Sequence, residues 1–295
     1  MKVLITGGTG FIGQHLVQSL TQDEHTVTIL SRSNRTSKNR YVSYRQWDGR
    51  SMPPAIGLYD VVVNLAGASI ADDRWTDDRK RELVKSRIHP TQACVDFINN
   101  SPNPPKVFIS SSAVGYYGGN REEVVSEDSA PGDDFMAEVC KKWEEVGSTA
   151  NCRTVLLRTG VVLGNEGGAY PLMSTAYKMF LGGKFGSGKQ GFPWIHIQDQ
   201  IGAIRYCIEK EGIEGPVNLV APEVVEQKEF SRALARSLGR PDPFIVPKFG
   251  LDLIFGERSI LFWGGTKVLP AALKKGGYAF SYPALKEALE SLVGD

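Results

Sequence analysis

Glycines stand at positions 7, 10 and 13 of the segment TGGTGFIG. They follow an apolar run, KVLIT (2–6), and lead into FIGQHLVQSLTQ (11–22), where Ile12, Leu16 and Leu20 fall at helical spacing. A glycine triplet alone is a weak signal. Between a strand and a helix, inside a strand–helix–strand unit, it marks a loop that holds a pyrophosphate. Gly7 permits the tight turn, Gly10 lets backbone approach the phosphates, and Gly13 allows helix and strand to pack closely. The free N–H groups and positive dipole end of the following helix face the same phosphates, which brings in Thr9, Phe11 and Ile12.

The next strand, TVTIL (26–30), runs into SRSNR. A site for NAD usually places an acid here, on the ribose 2′-hydroxyl. This chain offers Ser31, Arg32, Ser33 and Arg35 instead, a set of hydroxyls and guanidinium groups that suits a 2′-phosphate. The expected cofactor is therefore NADP(H). Asp48, after a third strand, is either an adenine contact or a turn residue before Gly49. Leu65, Ala66 and Gly67 end a fourth strand with small residues that admit a ribose close to the backbone.

These residues need a scaffold that presents strand ends side by side, and the sequence supplies one. YVSYRQW (41–47), DVVVNLAG (60–67), KVFISSS (106–112) and RTVLLRTGVVLG (153–164) read as strands, and the second is apolar throughout, as a strand buried on both faces should be. Helices are expected from Thr76 to Asn99, with Pro90 kinking or splitting it, and from about Asp133 to Ala150. Alternation over residues 1–165 predicts an α/β fold, a Rossmann-type doubly wound parallel sheet. Residues 166–295 then form a smaller substrate-covering region. Its helices are expected near 170–181, 228–238 and 284–292, its strand at 216–222, and its flexible lid at GKFGSGK (183–189). That lid resembles a P-loop but ends in Gln190 and lacks a following helix.

Net charge is +1 and charges of both signs are scattered, so nothing points to nucleic acid or an anionic membrane. No apolar run nears the ~20 residues of a membrane span. Cys94, Cys140, Cys152 and Cys207 form no CxxC pair and the histidines no HExxH, so no metal site is expected. The expectation is a reduced, cytoplasmic protein, monomer or homodimer, with a small substrate, neutral or anionic.

Taken in order, TGGTGFIG, NLAG and SSSAVGYYG resemble the extended short-chain dehydrogenase/reductase superfamily. The resemblance implies that Ser112 hydrogen-bonds substrate, that Ser110 lies at the cofactor, and that a Tyr-x-x-x-Lys pair sits on the helix DDFMAEVCKKWEE (133–145). That pair is missing. Counting back from Glu144 puts Met136 and Cys140 in its place, and from Glu145, Ala137 and Lys141. An asparagine usual on the preceding helix is Arg87 here. This combination, with GGAYPLM, GGKFGSGKQGFPWIHIQD and VLPAALKKGGYAFSYP further on, is similar to an atypical branch named as an epimerase family of nucleoside-diphosphate-sugar type, with its own C-terminal extension from about Val246.

The chemistry left to such a site is narrower. Met136 cannot transfer a proton. Cys140 can, if Arg87, Lys141 or Lys142 lowers its pKa, or else it is a small core residue. Arg87 cannot act as a base but could hold a cofactor or substrate anion. Tyr116 or Tyr117 could serve as an alternative acid, or both could be packing residues. The pairs Tyr206/Lys210 and Tyr282/Lys286 have the right spacing in the wrong place. His196 and Asp199 of WIHIQD form either a dyad or metal site, or a segment in which Asp199 caps the next helix. Within the extension, DLIFGERSILFWGG (252–265) is apolar enough to cover an interface. The expected function is an NADP(H)-dependent epimerase or oxidoreductase, or a non-catalytic NADP(H)-binding regulator or scaffold.

Overall fold

The structure is a computed structural model. It describes residues 1–293 except 120, 243, 248, 250–252, 254, 255 and 261–263. Six of the fourteen residues of DLIFGERSILFWGG, 252, 254, 255 and 261–263, therefore lie outside the described residues.

Seven parallel strands form one sheet. They are β1 (Lys2–Thr6), β2 (Thr26–Ser31), β3 (Val42–Gln46), β4 (Val61–Asn64), β5 (Val107–Ala113), β7 (Arg153–Thr159) and β11 (Gly215–Leu219), with β6 (Val124–Val125) outside the sheet. Their order is β11-β7-β5-β4-β1-β2-β3. The chain steps outward from β1 to β3, then returns to β4 on the other side of β1. That reversal opens a crevice at the carboxyl ends of β1 and β4, where α/β sheets bind ligands. Val61, Val62 and Val63 are buried on both faces, as their unbroken apolar run requires.

Helix α1 (Phe11–Gln22) turns Leu16 and Leu20 into the core. Helix α2 (Asp77–Asn99) begins at Thr76, whose side chain accepts the amide of Arg79. Of the two alternatives at Pro90, the helix is not split and runs on through the proline as one element. Leu83 and Arg87 before the proline, and Thr91 and Cys94 after it, are all buried, so tertiary packing holds the helix through the missing amide. Helix α3 (Phe135–Gly147) is capped by Asp134 and buries Met136, Cys140 and Glu144 on one face.

The expected division at residue 165 does not follow the sheet. Helix α5 (Ile197–Glu209) packs on α1, and β11 is the sheet's outer strand. The smaller lobe is instead a set of excursions: α4 (Tyr170–Lys178), α6 (Gln227–Ser237), and two-stranded ladders that join β8 (Val161–Leu163) to β10 (Trp194–His196) and β9 (Gly183–Phe185) to β12 (Phe244–Val246). The GKFGSGK segment expected as a lid contains β9, and Gln227 accepts the Phe185 amide at 3.0 Å. In the C-terminal region β13 (Lys267–Val268) pairs with β6, followed by α7 (Ala271–Gly276) and α8 (Leu285–Val293). Asp199 does not cap α5; the His196 ring does, accepting the Gln198 amide. Buried Asp199 takes the amides of Ser281 and Tyr282, each at 2.8 Å, and so ties down the segment between α7 and α8.

Candidate functional site

A cleft of about 930 Å³ lies over the crevice, lined by Gly7, Thr9, Gly10, Ser31, Arg32, Asp48, Leu65, Ala66 and Gly67 among others. Gly7 has φ +69°, and a Cβ there would stand 2.4 Å from the Leu65 carbonyl oxygen. At Gly13 it would stand 2.3 Å from the Gly7 oxygen. Both positions therefore exclude any side chain. Gly10 caps α1 without a side-chain hydrogen bond, and no acid lies in the first turn. The first intrahelical bond runs from Gln14 to Gly10, leaving the amides ahead of it at the open end. An uncompensated positive helix end in a cradle that a Cβ would fill fits a pyrophosphate.

Phe11 and Ile12 do not line the cleft. Their side chains pack against the core, and the Phe11 ring fills the space over Gly164, Gly167 and Gly168. Their contribution at the helix end is confined to backbone. Ser110 departs further from expectation: its hydroxyl is fully buried beneath Gly147 of α3 and meets no hydrogen-bond partner among the described residues. A position inside β5 turns it away from the cleft.

At the far end of the cleft Arg32 is exposed and Ser31 buried, its hydroxyl accepting the Ser33 amide at 3.3 Å. Arg35 bonds the Ser33 hydroxyl and does not line the cleft. Arg50, which the sequence did not single out, does. It is presented by a turn that Asp48 organises, its carboxylate accepting the Arg50 amide at 2.9 Å. That amide, ahead of any side chain, holds the Asp48 carboxyl below the usual range.

A buried chain of hydrogen bonds fixes the two loops relative to each other. Thr6 donates to Asn64, Asn64 to Thr91, and the Trp143 indole also to Thr91, at 2.6, 2.8 and 2.8 Å. Arg87 stands behind the second loop rather than in the cleft. Its guanidinium donates to the carbonyls of Leu83 and Ala68 and lies over the Trp143 ring. Burial pulls its pKa down, and the nearby Arg79 guanidinium acts in the same direction.

The structure decides the register on α3. Met136 and Cys140 face Gly115 beyond the end of β5, whereas Lys141 pairs with Glu138 on the surface at 2.8 Å. Burial pushes the Cys140 thiol up to about 12, aided by the Glu144 carboxylate, so it is a neutral thiol at physiological pH. Of the two alternatives for Cys140, the packing produces the small buried core residue and not the thiolate activated by neighbouring cations.

Ser112 donates to Glu144 Oε1 at 2.6 Å. Arg158, from β7, grips the same carboxylate through Nε and a terminal nitrogen at 2.8 and 2.7 Å. Arg158 also donates to the Tyr117 hydroxyl, which donates to Asn218 at 2.7 Å. Tyr117 is thus no acid at the site: it is fully buried, and burial raises its pKa to about 12. The Asn218 amide bonds Glu127, whose carboxylate takes the amides of Ala271 and Ala272 at the start of α7. One polar network therefore runs from Ser112 to the C-terminal region. The remaining tyrosine pairs are engaged elsewhere, Tyr206 on the Gly276 carbonyl and Tyr282 against the His196 ring.

Among the described residues no cluster of side chains could hold a metal ion, and no helix is long and apolar enough to cross a membrane. The sheet order, the glycine cradle and the serine at the end of β5 define a nicotinamide-dinucleotide-binding fold of the short-chain dehydrogenase/reductase kind.

Comparison with known proteins gives the family. The profile of the NAD dependent epimerase/dehydratase family matches residues 3–220, and that of a domain of unknown function (DUF1731) matches residues 246–292. The chain belongs to this family. It is 41% identical to the epimerase family protein YfhF of Bacillus subtilis, covering 100% of this chain and 99% of the relative. Among solved structures it is similar to the human epimerase family protein SDR39U1 with NADPH, at 36% identity and TM-score 0.92 over 100% of both chains. It is also similar to a nucleoside-diphosphate sugar epimerase from Corynebacterium glutamicum, at 32% identity and TM-score 0.82, over 100% of this chain and 58% of that one.

Proposed function

We propose that this protein binds NADP(H) in the cleft and is an oxidoreductase of the short-chain type for a small-molecule substrate. The observation that carries the reading is the pair Arg32 and Arg50 at the adenosine end of the cleft, with no acid at the end of β2. Two guanidinium groups favour a 2′-phosphate, and the human relative is described with NADPH. A cytoplasmic monomer or homodimer accompanies the reading; the four cysteines are free thiols, as a reducing compartment requires.

Bound NADP(H) supplies the hydride that such a reaction exchanges with substrate carbon. The glycine loop and the start of α1 hold the pyrophosphate, and Arg32 and Arg50 hold the adenosine phosphate. Ser112 has committed its proton to Glu144, so it meets a substrate hydroxyl as a hydrogen-bond acceptor. Met136 shields the site without exchanging protons, and Cys140 offers only a neutral S–H. Chemistry here depends on positioning more than on acid–base power, and turnover is correspondingly slow. Epimerisation, the reaction in the relatives' names, would begin with the same hydride removal from a hydroxyl-bearing carbon.

The test is direct titration with NADPH and NADH. At least tenfold tighter NADPH binding supports the reading, and equal affinities overturn it. A second reading, a non-catalytic NADP(H)-dependent regulator, is favoured by one observation: Met136 and the sealed Tyr117 leave the usual proton donor unreplaced. Transfer of deuterium from 4-deuterated NADPH to any metabolite in a cell extract would exclude it.

A further inference from the structure

Met136, at the family's tyrosine position, is one wall of a second cavity. It encloses about 450 Å³ between the start of α3, the segment before α2 and the C-terminal extension, with Trp75, Phe135, Met136 and Ile260 among its walls. Trp75 and Met136 belong to one apolar cluster with Ala68 and Ile70 packed against it, and Ala68 also lines the cofactor cleft. The two cavities are therefore neighbours. Arg32 and Asp48 set the adenosine end of the cleft beside β2 and β3, so an extended dinucleotide points its other end past the glycine loop toward this second cavity.

Aromatic rings dominate the walls, Trp75 and Phe135 meeting edge to face at 5.4 Å between centroids. The charged groups at the rim are already satisfied. The Asp134 carboxylate takes the amides of Ala137 and Gly119, each at 2.9 Å. Glu257 of the extension is ion-paired with Lys80 of α2, whose ammonium lies over the Phe135 ring. That ion pair fastens the extension across the cavity mouth. Among the described residues, a diphosphate entering here would find no uncommitted cation at the cavity wall and would lose its hydration. An uncharged ring would lose nothing comparable and would exclude water from apolar walls.

We infer that this cavity is the substrate subsite, that the C-terminal extension is its outer wall, and that it takes an uncharged aryl carbonyl compound, or the corresponding alcohol, in preference to a nucleotide sugar. The inference rests on the cofactor reading of the neighbouring cleft, and its test keeps the two apart.

The probe is 6-propionyl-2-dimethylaminonaphthalene, a neutral naphthyl ketone whose emission shifts to the blue out of water. It is titrated into the full chain saturated with NADP⁺, and into Trp75→Ala and Ile260→Asp, with NADP⁺ affinity measured on the same samples. The expected result is saturable, blue-shifted binding that excess UDP-glucose does not displace. Both variants should bind the probe at least tenfold more weakly while holding NADP⁺ within twofold of wild type. Absence of saturable binding, displacement by UDP-glucose, or wild-type probe affinity in either variant would overturn the inference. Failure of the wild type to bind NADP⁺ would instead overturn the cofactor reading, and the placement of the subsite with it.

Discussion

Ser112 gives its only proton to Glu144, Oγ standing 2.6 Å from Oε1. The relation matters because Glu144 is also clamped by Arg158 and sits four residues, one helical turn, beyond Cys140. The hydroxyl's rotation is thereby fixed in a buried position, with the Cys140 thiol as its other polar neighbour. Where a tyrosine and a lysine would set proton traffic, this chain has an oriented serine backed by a buried ion pair.

Breaking that pair from one side should be severe. Glu144→Gln keeps the shape but leaves the buried Arg158 guanidinium without its counter-charge, and losses of about 3–5 kcal/mol are usual for such a change. Urea denaturation should show the midpoint falling with little change in slope. The double variant Glu144→Gln/Arg158→Met should recover part of the loss, since no unpaired charge remains. A single variant as stable as wild type would show that the pair does not hold the strand ends together.

Arg50→Ala tests the residue that the sequence reading passed over. A charge-assisted hydrogen bond contributes about 1.5–3 kcal/mol, so NADPH should bind roughly tenfold to a hundredfold more weakly. NADH, which lacks the 2′-phosphate, should bind as it does to wild type. Calorimetry with both nucleotides decides it; equal losses would place Arg50 on the pyrophosphate or adenine instead.

What could be read in advance follows from how local each signal is. Gly7 and Gly13 were legible because their constraint is steric and lies within one loop. The place of Arg32 at the cleft is legible because it directly follows a strand. Arg50 was not, since it reaches the cleft only through the turn that Asp48 builds. Tyr117 was misplaced because a tyrosine at a strand end does not reveal which way the 3-10 turn over Val114–Tyr117 aims it; its partners Asn218 and Arg158 lie 101 and 41 residues away. The same non-locality hid β11: its partner β7 ends more than fifty residues earlier, so a boundary drawn at 165 cut the sheet. The role of Glu144 is equally non-local, because Ser112 and Arg158 meet its carboxylate only where β5 and β7 lie side by side.

The buried thiols predict loss of stability at high pH. Cys140 has its pKa raised by burial from the ordinary 9.0 to about 12, and Cys207 likewise to about 12. A raised folded-state pKa means that the unfolded chain releases its proton first. The stabilisation is complete below about pH 9 and is lost as pH climbs toward 12. Urea midpoints measured from pH 7 to 10.5 should fall above pH 9, and Cys140→Ala should flatten part of that decline. At pH 8 Cys140 should also resist iodoacetamide in the folded protein and react once urea is added. Rapid alkylation of the folded chain would contradict a neutral, buried thiol.

His196 governs the acid side. Burial lowers its pKa from 6.5 to about 4, against the opposing pull of Asp199. Its Nδ1 accepts the Gln198 amide and its ring lies against Tyr282, so protonation would turn the helix cap from acceptor to donor. With a depressed folded-state pKa, the unfolded chain takes up the proton first, and stability falls as pH drops from 6.5 toward 4. The limiting slope is about 1.4 kcal/mol per pH unit. His196→Phe should be less stable than wild type at pH 7, having lost the cap, yet should show a shallower decline between pH 6.5 and 4.5. Histidine Cε1 proton shifts followed by NMR provide the direct check: one resonance should remain at its neutral position at pH 5. A histidine set that titrates entirely near 6.5 would show that His196 is hydrated, and that the contact between α5 and the segment before α8 opens in solution.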